Sequence, residues 1–242
     1  MRGSNQAGRL TSVAVAAVVL VSGAVTWVGA DWVPVPPLHV GSRSALPAHS
    51  TATPAPGEPG PVVVAIGDSI MDGHGLTPSK AWPQLIGQAT DWQLTDLASD
   101  GSGFATPGDD GDTFQDQAAE AVALNPDIVI IAASSNDLDA DPDEVAQATS
   151  ATFAYLHDAL PKARIIALNA FWGADPPPAE LGLLDTAVED AAEATGAHYL
   201  DIGQPLAGHP ELMQFDGVHP TAKGLLVLAA AIAKAIRVDT AA

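Results

Sequence analysis

The sequence predicts an α/β protein, a three-layer α/β/α sandwich built on a parallel sheet of five strands. Three observations carry that expectation. Short, almost continuously apolar, β-branched runs occur at 62–66 (VVVAI), 127–133 (DIVIIAA) and 164–170 (RIIALNA), with weaker strand-like runs at 92–98 and 197–202. Stretches of helical character separate them. Strands apolar on both faces belong to a parallel sheet covered on both sides, and right-handed crossovers place the covering helices. The third observation is composition: the 242-residue chain is 47% hydrophobic and has no cysteine. Packing alone must therefore hold the domain, and thiolate chemistry is excluded.

The elements follow in order. Arg2 and Arg9 precede an apolar run from Val13 to about Ala30, which ends at Asp31. This is the pattern of an export signal, and at about 18 residues the run also reaches the lower limit for a membrane-spanning helix. Residues 1–30 are thus expected to be a signal peptide or an N-terminal anchor, the latter a membrane tether through residues 11–30. Either way the arginines stay inside and the domain is extracytoplasmic, secreted or held at the outer face of the cytoplasmic membrane. Residues 31–60 are rich in Pro, Ser, Thr, Ala and Gly, the composition of an extended linker. The catalytic-size domain is 61–242, about 180 residues, enough for one full core.

Within that domain the first strand, 62–66, leads into a glycine-flanked turn. Helices are expected at 82–89, 113–124, 143–160, 178–195 and 220–236, alternating with the later strands. Asp141 is placed to cap a helix with Pro142 at its first position and Glu144 completing a capping box. Pro126 and Pro161 end two helices ahead of the third and fourth strands, and Pro220 starts the last one.

Formal net charge is −20, and from Pro61 onward 27 acidic residues face six basic ones. Such a surface repels phosphate backbones, so no nucleic-acid partner is expected. Its simplest role is solubility, and a monomer is the expected state.

In an open parallel sheet, chemistry gathers beyond the carboxyl ends of the strands. There the chain reads "GDSI" after the first strand, "SDGSGF" after the second, "SSNDLD" after the third, and "FDGVHP" before the last helix. Asp216 and His219 stand three apart in a turn. That spacing lets the carboxylate hold one ring nitrogen while the other faces outward, the arrangement of a general base with a fixed tautomer. Ser69 is the serine best placed to be activated by it. A developing oxyanion would need donors: the Ser69 N–H, a glycine-loop N–H and a side-chain amide, supplied by Gly101 (or Gly103) and Asn136.

These four ordered blocks resemble those of the SGNH (GDSL) hydrolase family over nearly the whole domain. The resemblance implies a flavodoxin-like sandwich and an acyl-enzyme route to hydrolysis of carboxylic esters or thioesters. It also implies Ser69 as nucleophile, His219 as base, Asp216 as its orienter, and Ser69, Gly101 and Asn136 as oxyanion donors. One departure stands out: the family's third block commonly reads Gly-x-Asn-Asp, whereas Ser134 occupies the glycine position here. A narrower pocket or a stiffer loop is expected from it.

Other residues carry weaker expectations. Asp68 reads as a structural acceptor. His74, Phe104 and Trp172 are candidates to line the substrate pocket, with Trp82 and Phe171 nearby, although His74 has no carboxylate at D-x-x-H spacing. Asp137, Asp139, Asp141 and Asp143 alternate as calcium ligands do, but Pro142 and Ala148 stand where an EF-hand loop needs Gly and Glu. The run 109–112 (DDGD) reads as a solvated loop. Neither metal nor cofactor is expected. The functional expectation is an exported serine esterase acting on small-molecule, lipid or carbohydrate esters. A cell-envelope O-acyltransferase with the same triad and a catalytically inactive binding module are the alternatives.

Overall fold

The computed structural model describes residues 59–241. Both N-terminal expectations, the export or anchor segment and all but the end of the linker, lie outside the described residues. Among the described residues no helix is long and apolar enough to cross a membrane.

Five strands form one sheet: β1 (Val62–Ile66), β2 (Gln93–Asp96), β3 (Ile128–Ala132), β4 (Arg164–Leu168) and β5 (His198–Leu200). All pairings are parallel and the order is β2-β1-β3-β4-β5. Helices α1 (Ser69–Asp72), α2 (Trp82–Gln88), α3 (Phe114–Leu124), α4 (Pro142–Ala159) and α5 (Leu181–Thr195) lie in the crossovers, and α6 (Ala222–Ala241) follows the last strand. The flavodoxin-like order and the three layers match the expectation.

Alternation along the central strands explains the layers, because successive side chains point to opposite faces. Val64, Ile66, Val129, Ile131 and Ile165 pack with Phe114, Phe153, Leu156 and Val188 from α3, α4 and α5. Val63, Ala65, Ile130, Ile166 and Leu168 pack on the other face with Met71, Trp82, Ile86, Leu225 and Ile232 from α1, α2 and α6. With both faces buried, β1, β3 and β4 cannot show a polar alternation. The edge strands β2 and β5 are only half covered, hence their weaker sequence signal.

Several ends depart from expectation. Asp141 does cap α4, accepting the N–H groups of Asp143 and Glu144 at 3.0 and 3.3 Å. The reciprocal bond from Glu144 is not made, so the capping box is absent there. A capping box forms at α3 instead, where the Asp116 carboxylate accepts both the N–H and the hydroxyl of Thr113 at 2.9 and 2.8 Å. α6 starts at Ala222, two residues after Pro220. Pro220 is occupied in a short antiparallel bridge with Met213, and the Thr221 hydroxyl takes the cap position by accepting the Gly224 N–H.

Strand order reverses around β1, so the segments after β1, β2 and β3 open at one switch point. The Gln117 side-chain amide fastens it, accepting the Gly67 N–H at 3.0 Å and donating to the Gly67 carbonyl at 3.1 Å.

Candidate active site

Ser69 is the first residue of α1, and the cap of that helix is Asp68: its Oδ1 accepts the Ile70 N–H at 2.9 Å. Serine as a mere cap is thereby excluded. The helix stops after one turn because Gly73 adopts a left-handed conformation, φ 80°, which glycine enters without a Cβ penalty. Ser69 is left buried at the sheet edge.

His219 reaches it from the loop ahead of α6. Its Nε2 lies 3.1 Å from the Ser69 Oγ, and its Nδ1 lies 2.9 Å from Asp216 Oδ2. A carboxylate only accepts, so Nδ1 carries the proton and Nε2 is free to accept from the hydroxyl. Asp216 is itself fixed, because its Oδ1 accepts the N–H groups of Val218 and His219 at 2.9 and 3.0 Å. These bonds, led by the one from the His219 side chain, hold the Asp216 carboxyl far below the usual carboxylate range. The three residues expected to converge are thus brought together, in the order hydroxyl, imidazole, carboxylate.

Beside them stand three donors. The Ser69 and Gly101 N–H groups have no acceptor among the described residues. The Gly103 N–H is engaged by the Thr106 carbonyl at 2.8 Å, and a Cβ there would lie 2.5 Å from the Asp137 carboxylate. Of the two glycines, Gly101 therefore keeps a donor available, in a left-handed conformation (φ 77°). Asn136 Nδ2 donates to the Ser102 carbonyl at 2.9 Å, which fixes the amide and leaves its second hydrogen for a ligand.

Ser134 shows what replaces the common glycine. Its buried hydroxyl donates to Asp68 Oδ2 at 2.7 Å and accepts the Asn136 N–H at 3.1 Å. The loop is stiffened, whereas the side chain does not line the cleft holding Ser69, Gly101, Asn136 and His219; the expected narrowing does not occur. Asp68 is the structural acceptor expected of it. Burial pushes its carboxyl upward, and the Ser134 hydroxyl opposes that shift.

The pocket expectations divide. Phe104 is not a lining residue: it is 3% exposed and packs against Phe114 and Phe153. The cause is Asp137, whose carboxylate accepts the successive N–H groups of Phe104, Ala105 and Thr106 at 2.7, 3.1 and 3.0 Å and turns that loop inward. Trp82 is likewise core. Trp172 does border the site. With Ile70, Phe171, Pro176 and Val218 it lines a hollow of about 170 Å³ that adjoins the Ser69 cleft of about 220 Å³ through Ile70, Ser135 and Val218.

His74 lines the cleft, and it is held by a carboxylate that its sequence neighbourhood does not reveal. Asp100, 26 residues away, bonds its Nδ1 and, as the main cause, raises its pKa above the usual imidazole value. The 109–112 run is also more than a solvated loop, since Asp112 accepts from the Ser99 hydroxyl at 2.8 Å and the Gln117 amide at 3.1 Å. Asp100, Asp112 and Asp137 carry no signal at fixed spacing, and only the folded loops bring them to their partners.

Residues 65–225 match the model of the GDSL-like lipase/acylhydrolase family. The chain belongs to that family. It is an ester-hydrolysing enzyme of the SGNH type. It is 31% identical over 197 residues to the GDSL lipase Rv0518 of Mycobacterium tuberculosis, covering 73% of this chain and 82% of the relative. Among solved structures it resembles the psychrotrophic esterase EstA from Pseudoalteromonas sp. (TM-score 0.59, 18% identity, 73% of this chain and 96% of that one). It also resembles TesA (0.59, 18%, 72% and 97%). A family two carbohydrate esterase from Cellvibrio japonicus is a third (0.61, 17%, 78% and 64%). At such identities these three establish the shared SGNH fold.

Proposed function

We propose that this SGNH hydrolase is an exported serine esterase that cleaves short-chain carboxylic esters through an acyl-enzyme. One observation carries the reading: the unbroken chain Ser69 Oγ to His219 to Asp216, at 3.1 and 2.9 Å, beside unengaged N–H donors. Ser69 attacks the ester carbonyl while its proton passes to His219 Nε2. The negative charge on the former carbonyl oxygen is met by the Ser69 and Gly101 N–H groups and the free Asn136 hydrogen. The C–O bond to the alcohol breaks as His219 returns the proton to the departing oxygen. Water then adds to the acyl carbon, giving a proton to His219, and collapse releases the acid and reprotonates Ser69. Asp216 stays ionised throughout and stabilises the imidazolium.

The small apolar hollow beside Trp172 supports a short acyl group. Export rests on the N-terminal sequence pattern, and fractionation of cells producing the full chain tests it: recovery in the cytosol would refute it. The catalytic reading is tested with p-nitrophenyl acetate and an alkyl fluorophosphonate. Native protein should turn over the first and be labelled at Ser69 by the second, and Ser69→Ala should do neither. Retained turnover in purified Ser69→Ala would refute the assignment.

A further inference from the structure

The ester mechanism makes no use of His74, yet the chain around it is built to hold its ring in one place. The rings of His74 and His219 are stacked, with centroids 4.0 Å apart and planes inclined by 24°. The backbone of His74 is gripped at both ends: its N–H donates to the Ser69 carbonyl at 3.0 Å, and its carbonyl accepts from Gln214 Nε2 at 2.8 Å. The same Gln214 nitrogen donates to the carbonyl of Pro220, next to His219, at 3.1 Å. One amide therefore ties the two histidine-bearing segments to each other. Asp100 fixes the third point, at Nδ1. Left-handed glycines on either side, Gly73 and Gly75, with φ 80° and 74°, allow the tight path. Core packing does not account for this anchoring, because the His74 side chain is 43% exposed.

What the anchoring supplies is a face. His219 is held by hydrogen bonds at its two ring nitrogens, and those bonds restrain motion within the ring plane. Rotation about the line joining the two nitrogens is the motion they restrain least. A ring lying flat on one face blocks it, and small misplacements of a reacting group are known to lower rates about 100-fold. We infer that His74 is a positioning residue for the catalytic base: clamped by Asp100 and Gln214, its ring lies against His219 and keeps Nε2 aimed at the Ser69 hydroxyl. Its role is mechanical support, served by any flat ring at that place.

This inference rests on the esterase reading, and the test separates the two. Three variants, His74→Ala, His74→Phe and Gln214→Leu, are compared with native enzyme. The readouts are kcat and KM on p-nitrophenyl acetate and the second-order rate of fluorophosphonate labelling at Ser69. His74→Ala should lower kcat and the labelling rate 10- to 100-fold, with KM changed less than about threefold. His74→Phe, which restores a ring without the Asp100 bond, should recover both to within about fivefold of native. Gln214→Leu, which releases the clamp but keeps the imidazole, should fall between. Native-like labelling in His74→Ala overturns the inference. So does a His74→Phe enzyme as slow as His74→Ala, or a loss confined to KM. If His74→Ala fails to fold, an unchanged labelling rate in Gln214→Leu overturns it equally. Native protein that is neither active nor labelled refutes the esterase reading instead.

Discussion

The Ser69 hydroxyl and the His219 imidazole, 150 residues apart in the chain, meet at 3.1 Å on the open edge of the sheet. Two elements at opposite ends of the domain produce that meeting. α1 holds the serine directly after the central strand β1, and the bridged loop before α6 carries the histidine back over it. The contact needs no helper from outside the fold.

Asp216 should prove essential for rate although it is exposed. In Asp216→Asn the Oδ1 atom can still accept the two backbone N–H groups. The amide nitrogen, however, would face His219 Nδ1 as a donor, forcing the proton onto Nε2 and turning away the Ser69 hydroxyl. A loss in kcat on the order of 10²–10⁴ is expected on p-nitrophenyl acetate, with an unchanged circular-dichroism spectrum. Near-native kcat would remove Asp216 from the machinery.

Asn136 should act on the transition state alone. Asn136→Ala removes the free amide hydrogen and is expected to lower kcat about 10²- to 10³-fold with little change in KM. The lost bond to the Ser102 carbonyl could loosen the glycine loop as well. Asn136→Asp loses the same two donations, because a carboxylate only accepts, and in addition puts a charge where the oxyanion forms, so it should be the slower enzyme. An aspartate variant faster than the alanine one would move the oxyanion site elsewhere.

Ser134 should matter for stability more than for substrate size. Its hydroxyl is the partner of the buried Asp68 Oδ2 and of the Asn136 N–H. Ser134→Gly takes away both bonds and leaves a buried carboxylate oxygen unpaired, a change of about 1–3 kcal/mol. Backbone freedom at the new glycine adds to the loss. Urea unfolding measures it, and an ester series of increasing acyl length should keep its ranking. A widened chain-length range in Ser134→Gly would show that the side chain limits the pocket after all.

Much of this arrangement was legible in the sequence, for a physical reason. The strands β1, β3 and β4 are buried on both faces, so their apolar runs are unmistakable, and site residues in such a sheet must follow strand ends. Ser69, Gly101 and Asn136 are therefore locatable by position, and Asp216 and His219 by their three-residue spacing ahead of the last helix. What stayed hidden depends on contacts between loops. Phe104 stands next to the glycine loop as a pocket residue would, but three hydrogen bonds to Asp137 turn it into the core. His74 looks unsupported along the chain because its carboxylate, Asp100, arrives from the loop after β2. α6 starts later than Pro220 suggests for a similar reason, since the bridge to Met213 claims Pro220 for the histidine loop.

Asp96 gives the last prediction, on stability against pH. It ends β2, where its Oδ1 accepts the Ala98 N–H at 3.2 Å and its Oδ2 is buried without a hydrogen-bond partner among the described residues. Burial above all, with the nearby Asp72 carboxylate adding to it, pushes its pKa from 3.8 up to about 7. A raised acid keeps its proton in the folded state at pH values where the unfolded chain has released it. Its contribution is thus fully present below pH 3.8 and is lost as pH rises towards about 7. Each unit of that window lowers stability by about 1.4 kcal/mol at most. Asp96→Asn keeps an oxygen for Ala98 and carries no charge, so it should leave stability at pH 4 nearly unchanged. At pH 8 it should be more stable than native by at least about 1 kcal/mol. Urea unfolding at pH 4, 6 and 8 would follow the divergence. Parallel curves for the two proteins across that range would mean that Asp96 ionises as freely in the folded chain as in the unfolded one.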